Sequence, residues 1–174
     1  MDLSIELATP DDAPAVANIR VRAAEDLTER HGAGHWSSLA TERSVLSGMR
    51  TSKVIVARMN GHVVGTLSLQ TRKPWAIDTS YFPPARKPWY LTNMAVDPAD
   101  QRNGIGRALL DYARDLVVEW GGDAIRLDAY DAEAGAGEFY ARCGYTEVGR
   151  ATYRVVPLRY YELRVGSWEL GVGS

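Results

Sequence analysis

The chain has one cysteine, Cys143, and only three lysines, and it lacks any long apolar run. One cysteine excludes an intrachain disulfide. The roughly 20 consecutive apolar residues that a membrane span needs are nowhere present. The formal charge of −2 comes without the basic face or tail of a general nucleic-acid binder, and no block of like charge interrupts the chain. Lys53, Lys73 and Lys87 stand against many arginines, a balance read as coding bias rather than as a binding surface. No Cys/His cluster has metal-ligand spacing, so no metal is expected. The N-terminus "MDLSIELATPDD" is acidic and has no signal-peptide pattern, which makes a cytoplasmic location the expectation. At 174 residues one domain spanning 1–174 is expected, large enough to bury its own core.

The order of elements is readable from periodicity. "LSIELA" alternates as a strand, and Thr9-Pro10-Asp11-Asp12 then opens a helix with a capping threonine and an acid placed to reach back. That helix runs toward His31-Gly32. After the break "HGAGHW" a second helix is expected over about Ser38–Met49. "KVIVARM" and "HVVGTLSLQ", joined by Asn60-Gly61, form a hairpin with a type I′ turn. Residues 71–88 hold several prolines and aromatics without a period, the mark of a long ordered excursion. "WYLTNMAV" reads as a strand that stops at Asp97-Pro98. "AIRLDAY" is another strand, a short helix spans about Ala136–Cys143, and two further strands follow Gly144. The resulting order, β-α-α-β-β-β-α-β-α-β-β, describes a mixed α/β fold around one sheet.

Between the strand ending at Val96 and the next helix lies "DQRNGIGRALL". Ile105, Leu109, Tyr112, Ala113, Leu116, Val117 and Trp120 recur at helical spacing, so the glycines sit in a strand-loop-helix junction. Unpartnered first-turn N–H groups and the positive end of the helix dipole suit phosphate, and Arg102 and Arg107 add charge. Neither the P-loop nor the dinucleotide fingerprint fits Gly104-Ile105-Gly106-Arg107.

The segment "LTNMAVDPADQRNGIGRALL" resembles the acetyl-CoA-binding segment of the GCN5-related N-acetyltransferases, whose Gln/Arg-x-x-Gly-x-Gly/Ala signature is matched by Gln101 to Gly106. "GEFYARCGY" resembles that family's second hallmark, an aromatic pair on a short helix followed by Gly-Tyr. The resemblance implies a GNAT-type fold and acetyl-CoA as co-substrate. It also implies direct attack of a primary amine on the thioester. On this reading the amides of Gln101, Arg102, Asn103, Gly104, Ile105, Gly106 and Arg107 hold the pyrophosphate. The backbone of Met94, Ala95 and Val96 pairs with the pantetheine, and the Met94 N–H steadies the thioester oxygen. Tyr140 occupies the general-acid position. Asp128 stands where the ribosomal-protein N-terminal acetyltransferases carry a glutamate base; it serves as base through a water, or it is a salt-bridge partner of an arginine. Glu133 replaces an asparagine that often contacts the donor, with Asp131 nearby.

The acceptor is expected to be a small-molecule amine, with Glu25, Asp26, Glu29 and Glu42 favouring a cation. Alternatives are a protein amine, or a sensor that binds acyl-CoA without turnover. His35-Trp36 lies where acceptor pockets of the family sit, while His62 is expected to be exposed and Cys143 buried. Trp75, Tyr81, Phe82 and Trp89 either wall the acceptor pocket or cover a sheet edge or dimer contact. The terminal strands and Trp168 suggest a homodimer.

Overall fold

The computed structural model describes residues 2–166. Trp168, on which the expected homodimer edge rests, lies outside them. Among the described residues the element order is the one the periodicity predicts: β1 (Leu3–Leu7), α1 (Ala13–His31), α2 (Glu42–Met49), β2 (Lys53–Met59), β3 (His62–Gln70), β4 (Pro88–Val96), α3 (Ile105–Glu119), β5 (Ala124–Tyr130), α4 (Gly137–Arg142), β6 (Thr146–Tyr153) and β7 (Val156–Arg164). The strands form one mixed sheet in the order β1-β2-β3-β4-β5-β7-β6. The β4–β5 pair is parallel, whereas β1–β2, β2–β3, β5–β7 and β6–β7 are antiparallel. The chain makes two compact units, Met1–Gln70 with Thr92–Ala113, and Thr71–Leu91 with Arg114–Ser174, so the division falls within β4 and α3.

In the first unit Val16 and Ala17 of α1 and Val45 of α2 pack with Val54 and Val56 of β2. Helix α1 starts as anticipated. Asp12 accepts the Thr9 N–H at 2.9 Å, although Pro10–Asp12 is a 3-10 turn and the α-helix proper begins at Ala13. Helix α2 begins later than Ser38. Ser37 is engaged upstream, contacting Thr28 Oγ1 at 2.6 Å and accepting the Gly34 N–H. Thr41 is the residue that caps, exchanging bonds with Ser44. Asn60 and Gly61, at φ 52° and 84°, supply the two positive φ values of a type I′ turn.

In the second unit Ile77, Phe82 and Tyr90 pack with Leu158 and Tyr160. The excursion 71–88 is tied down at several points. Tyr160 donates its hydroxyl to Ala76 O at 2.5 Å and accepts the Asp78 N–H at 3.2 Å. Asp123 accepts the N–H groups of Arg86 and Lys87. Arg126 and Arg164 donate to the carbonyls of Pro83 and Pro84, each at 2.7 Å. The β6–β7 connection is less expected, because Arg154 and Val155 both sit at positive φ, 47° and 66°. A β-branched residue rarely adopts this conformation.

Candidate active site

The first unit carries the phosphate-type loop. Within β4, Asn93 has the left-handed φ of 54°, a local kink immediately before Met94, and Arg20 of α1 donates to its Oδ1 at 3.1 Å. The β4–β5 ladder runs from Pro88–Ala124 to Tyr90–Arg126, so Met94, Ala95 and Val96 lie past its end. Asp97 is held at the strand's exit by Arg22 Nη1 at 2.7 Å and by the Ala99 N–H. Gln101 donates to Val96 O at 3.3 Å, which folds the loop back on β4. Arg102 (φ 70°) and Gly104 (φ 79°) then turn the chain into α3.

The first bond of that helix runs from the Ala108 N–H to Gly104 O at 3.0 Å. The amides of Ile105 and Gly106 therefore precede any helical acceptor. Gln101, Arg102, Asn103, Gly104 and Arg107 are exposed, and no acid occupies the first turn of α3. No other atom lies within 4 Å of a Cβ built on Gly104. First-turn amides without a helical acceptor, an exposed Arg102 and no carboxylate in the first turn fit a pyrophosphate.

The second unit carries Tyr140 and Asp128, the residues expected as acid and base. Gly137 opens α4 because a Cβ there would collide with the Tyr161 hydroxyl. This close seating places Tyr140 against β7, with its ring centroid 6.3 Å from that of Tyr161 and 5.8 Å from that of Tyr145. Gly144, at φ 95°, ends the helix as expected. Burial raises the Tyr140 phenol well above its ordinary range, and the charge of Asp128 adds to the effect. Burial likewise raises the Asp128 carboxyl. The arginine partner considered for Asp128 is absent among the described residues. Arg126 instead pairs with Glu162 at 2.9 Å, and Arg159 with Asp131 at 2.7 Å.

Asp128 is thus a half-buried carboxylate without an ion pair or hydrogen bond among the described residues. Because its folded pKa lies above its unfolded value, the associated stability is complete below about pH 4 and is lost as pH rises through the folded pKa. Asp128→Asn is therefore expected to leave the melting temperature at pH 7 equal or higher. If Asp128 is the base, the same variant loses activity together with the acidic limb of the pH–rate profile. A fall in melting temperature with activity retained would mark a structural residue.

Other sequence candidates separate. Glu133 is exposed in the turn before α4, and Asp131 is occupied by Arg159. His62 is exposed, as expected. Cys143 is half-buried rather than buried, because it ends a six-residue helix. Trp36 donates to Gly32 O at 3.0 Å, a bond within its own loop. Phe82 and Trp89 are buried, while Trp75 is 81% exposed. Trp75 and Tyr81 line a cavity of about 440 Å³ together with Lys73, Asp78, Tyr153 and Tyr160. This cavity had no sequence signal beyond the aromatic content of 71–88.

The acetyltransferase (GNAT) family model matches residues 19–145. The chain belongs to this family. Its fold is similar to that of the ribosomal-protein-S18-alanine N-acetyltransferase of Escherichia coli, at 21% identity and a TM-score of 0.71, with 95% of each chain covered. It is also similar to YncA of Salmonella typhimurium, solved with its cofactor acetyl-CoA, at 20% identity and TM-score 0.69 over 94% of each chain. A ribosomal-protein-alanine N-acetyltransferase of Brucella melitensis gives 21% identity and TM-score 0.72, covering 93% of this chain and 99% of that one. Among curated proteins no match is found. Within the GNAT match lie Asn93, the 101–107 loop, Asp128 and Tyr140. No helix of the described residues is long and apolar enough to cross a membrane.

Proposed function

We propose that this GNAT protein is an acetyl-CoA-dependent N-acetyltransferase acting on a primary amine of a small molecule, with both units serving as one catalytic domain. The observation that carries the reading is the left-handed turn from Arg102 to Gly104, exposed residues that lead the chain into the start of α3. Acetyl-CoA supplies the acetyl group as a thioester that an amine can attack directly.

The chain's own residues then have four tasks. Amides from Gln101 to Arg107 hold the pyrophosphate. The backbone of Met94, Ala95 and Val96 pairs with pantetheine amides in the manner of an added strand, and the Met94 N–H, set by the kink at Asn93, hydrogen-bonds the oxygen on which negative charge develops. Asp128 takes the proton of the attacking amine, directly or through one water. Tyr140 donates its phenolic proton toward the departing sulfur. These last two tasks are coupled. Ionised Asp128 opposes ionisation of Tyr140, so protonation of Asp128 removes that charge and makes Tyr140 a stronger acid as the thiolate forms.

Calorimetric titration with CoA tests the donor site. The wild-type chain is expected to bind CoA without competition from ATP, since no P-loop Lys-Ser/Thr pair is present. Gly104→Val is expected to weaken CoA about tenfold or more, because a β-branched residue resists φ 79° and its strain is borne by the loop itself. Unaltered CoA affinity in Gly104→Val, or displacement of CoA by ATP, would reject this assignment.

A further inference from the structure

The cavity in the second unit has a lining that the transfer chemistry does not use. Its walls are aromatic: Trp75 and Tyr81 from the 71–88 excursion, Tyr153 from the end of β6, and Tyr160 from β7. The fold builds these walls deliberately at two points. Tyr81 lies against Gly149, where a Cβ would collide with its ring, and it meets Tyr160 edge-on at 5.4 Å between centroids. Tyr160 is fixed through its hydroxyl to Ala76 and Asp78.

Two charged residues line the same space. Lys73 is committed to backbone, with Nζ donating to Pro74 O at 3.1 Å and to Ile77 O at 2.8 Å. Asp78 Oδ1 accepts from the side chain and the N–H of Ser80. Those bonds, together with the nearby Lys73 charge, hold its carboxyl below the usual range. Asp78 is therefore an anion at neutral pH. The single ammonium in the lining is already turned to carbonyl oxygens, and aromatic rings carry a negative quadrupole on their faces. Such a lining attracts an organic cation and disfavours an anion. Beside the cavity, Arg154 sets its guanidinium 5.3 Å from the centroid of the Tyr153 ring, a cation–ring contact of the same kind.

The cavity is also registered to the proposed base. Tyr160 is the cross-strand partner of Asp128. Directly opposed residues share one face of a sheet, with Cβ atoms about 4.5–5.5 Å apart. The Asp128 charge is felt at the Tyr160 hydroxyl. We propose that this cavity binds a second cationic group, ammonium or guanidinium, of the amine acceptor, so that the preferred substrate is a dication with one end acetylated. The proposal rests on the acetyltransferase reading and on Asp128 as its base.

The test compares 1,5-diaminopentane with pentylamine in thiol-release kinetics at saturating acetyl-CoA. The diamine is expected to exceed the monoamine in kcat/KM by about tenfold or more. Trp75→Ala and Asp78→Asn, both changes at exposed positions, are each expected to shrink that ratio by about tenfold. Equal use of the two amines, or a ratio indifferent to both variants, overturns the proposal. If neither amine is acetylated, tetramethylammonium chloride decides through tryptophan fluorescence. Quenching that disappears in Trp75→Phe supports the cation site, and absence of quenching overturns it. CoA binding and transfer to other amines are read independently, so failure here is distinguishable from failure of the acetyltransferase reading.

Discussion

Tyr140→Phe is expected to lower kcat by about a hundredfold or more, within the range that general acid catalysis contributes, while CoA affinity stays at the wild-type value. The substitution keeps the ring and removes only the hydroxyl. Packing against Phe139, Tyr145 and Tyr161 is preserved, so the loss belongs to the proton and not to the fold. The raised phenol pKa sharpens the expectation. At neutral pH the group is fully protonated, and the proton it gives up is needed only when the sulfur leaves. The defect should therefore shrink with a donor whose leaving thiol is more acidic than CoA. A merely structural tyrosine would give a lower melting temperature with kcat unchanged. A sensor without turnover would show no transfer in either protein.

The second large effect is on stability. Arg126 and Glu162 are cross-strand partners in β5 and β7, joined at 2.9 Å with side chains only 5% and 4% exposed. Glu162→Ala leaves the Arg126 guanidinium buried without its counter-charge and is expected to cost about 3–5 kcal/mol. That is a large share of the roughly 5–15 kcal/mol that stabilises an ordinary domain. Urea unfolding measures it. The double variant Arg126→Met with Glu162→Leu is expected to recover part of the loss, because no charge is then left buried. Recovery stays incomplete, since Arg126 also donates to Pro83 O and stacks 4.7 Å from the Phe82 ring centroid. If the single and double variants unfold alike, the uncompensated charge is not the cause.

The same pair shows where the sequence stopped being legible. Strands β2, β3 and β5 match their periodic segments from first residue to last, because alternation and the Asn60-Gly61 turn act over a few residues. The Gln101–Gly106 loop and Tyr140 were visible for the same reason, as short motifs beside a strand and on a helix. Arg126 and Glu162 lie 36 residues apart, and only the β5–β7 register joins them. That pairing also decides Asp128, whose possible arginine partners are both taken by other acids. The Arg154-Val155 turn was invisible because its residues resist positive φ and no glycine or asparagine marks it. The cavity was invisible because residues 71–88 have no period. Their positions come from bonds to Asp123, Arg126, Tyr160 and Arg164, all distant in the chain.

Thiol release from acetyl-CoA across a panel of small amines, polyamines, amino acids, aminoglycosides and short peptides with free N-termini tests the central claim most directly. Turnover with a small amine is expected, accompanied by an N-acetylated product and reduced to about 1% or less in Tyr140→Phe. Silence across the panel with CoA still bound, or turnover confined to peptides, would contradict it.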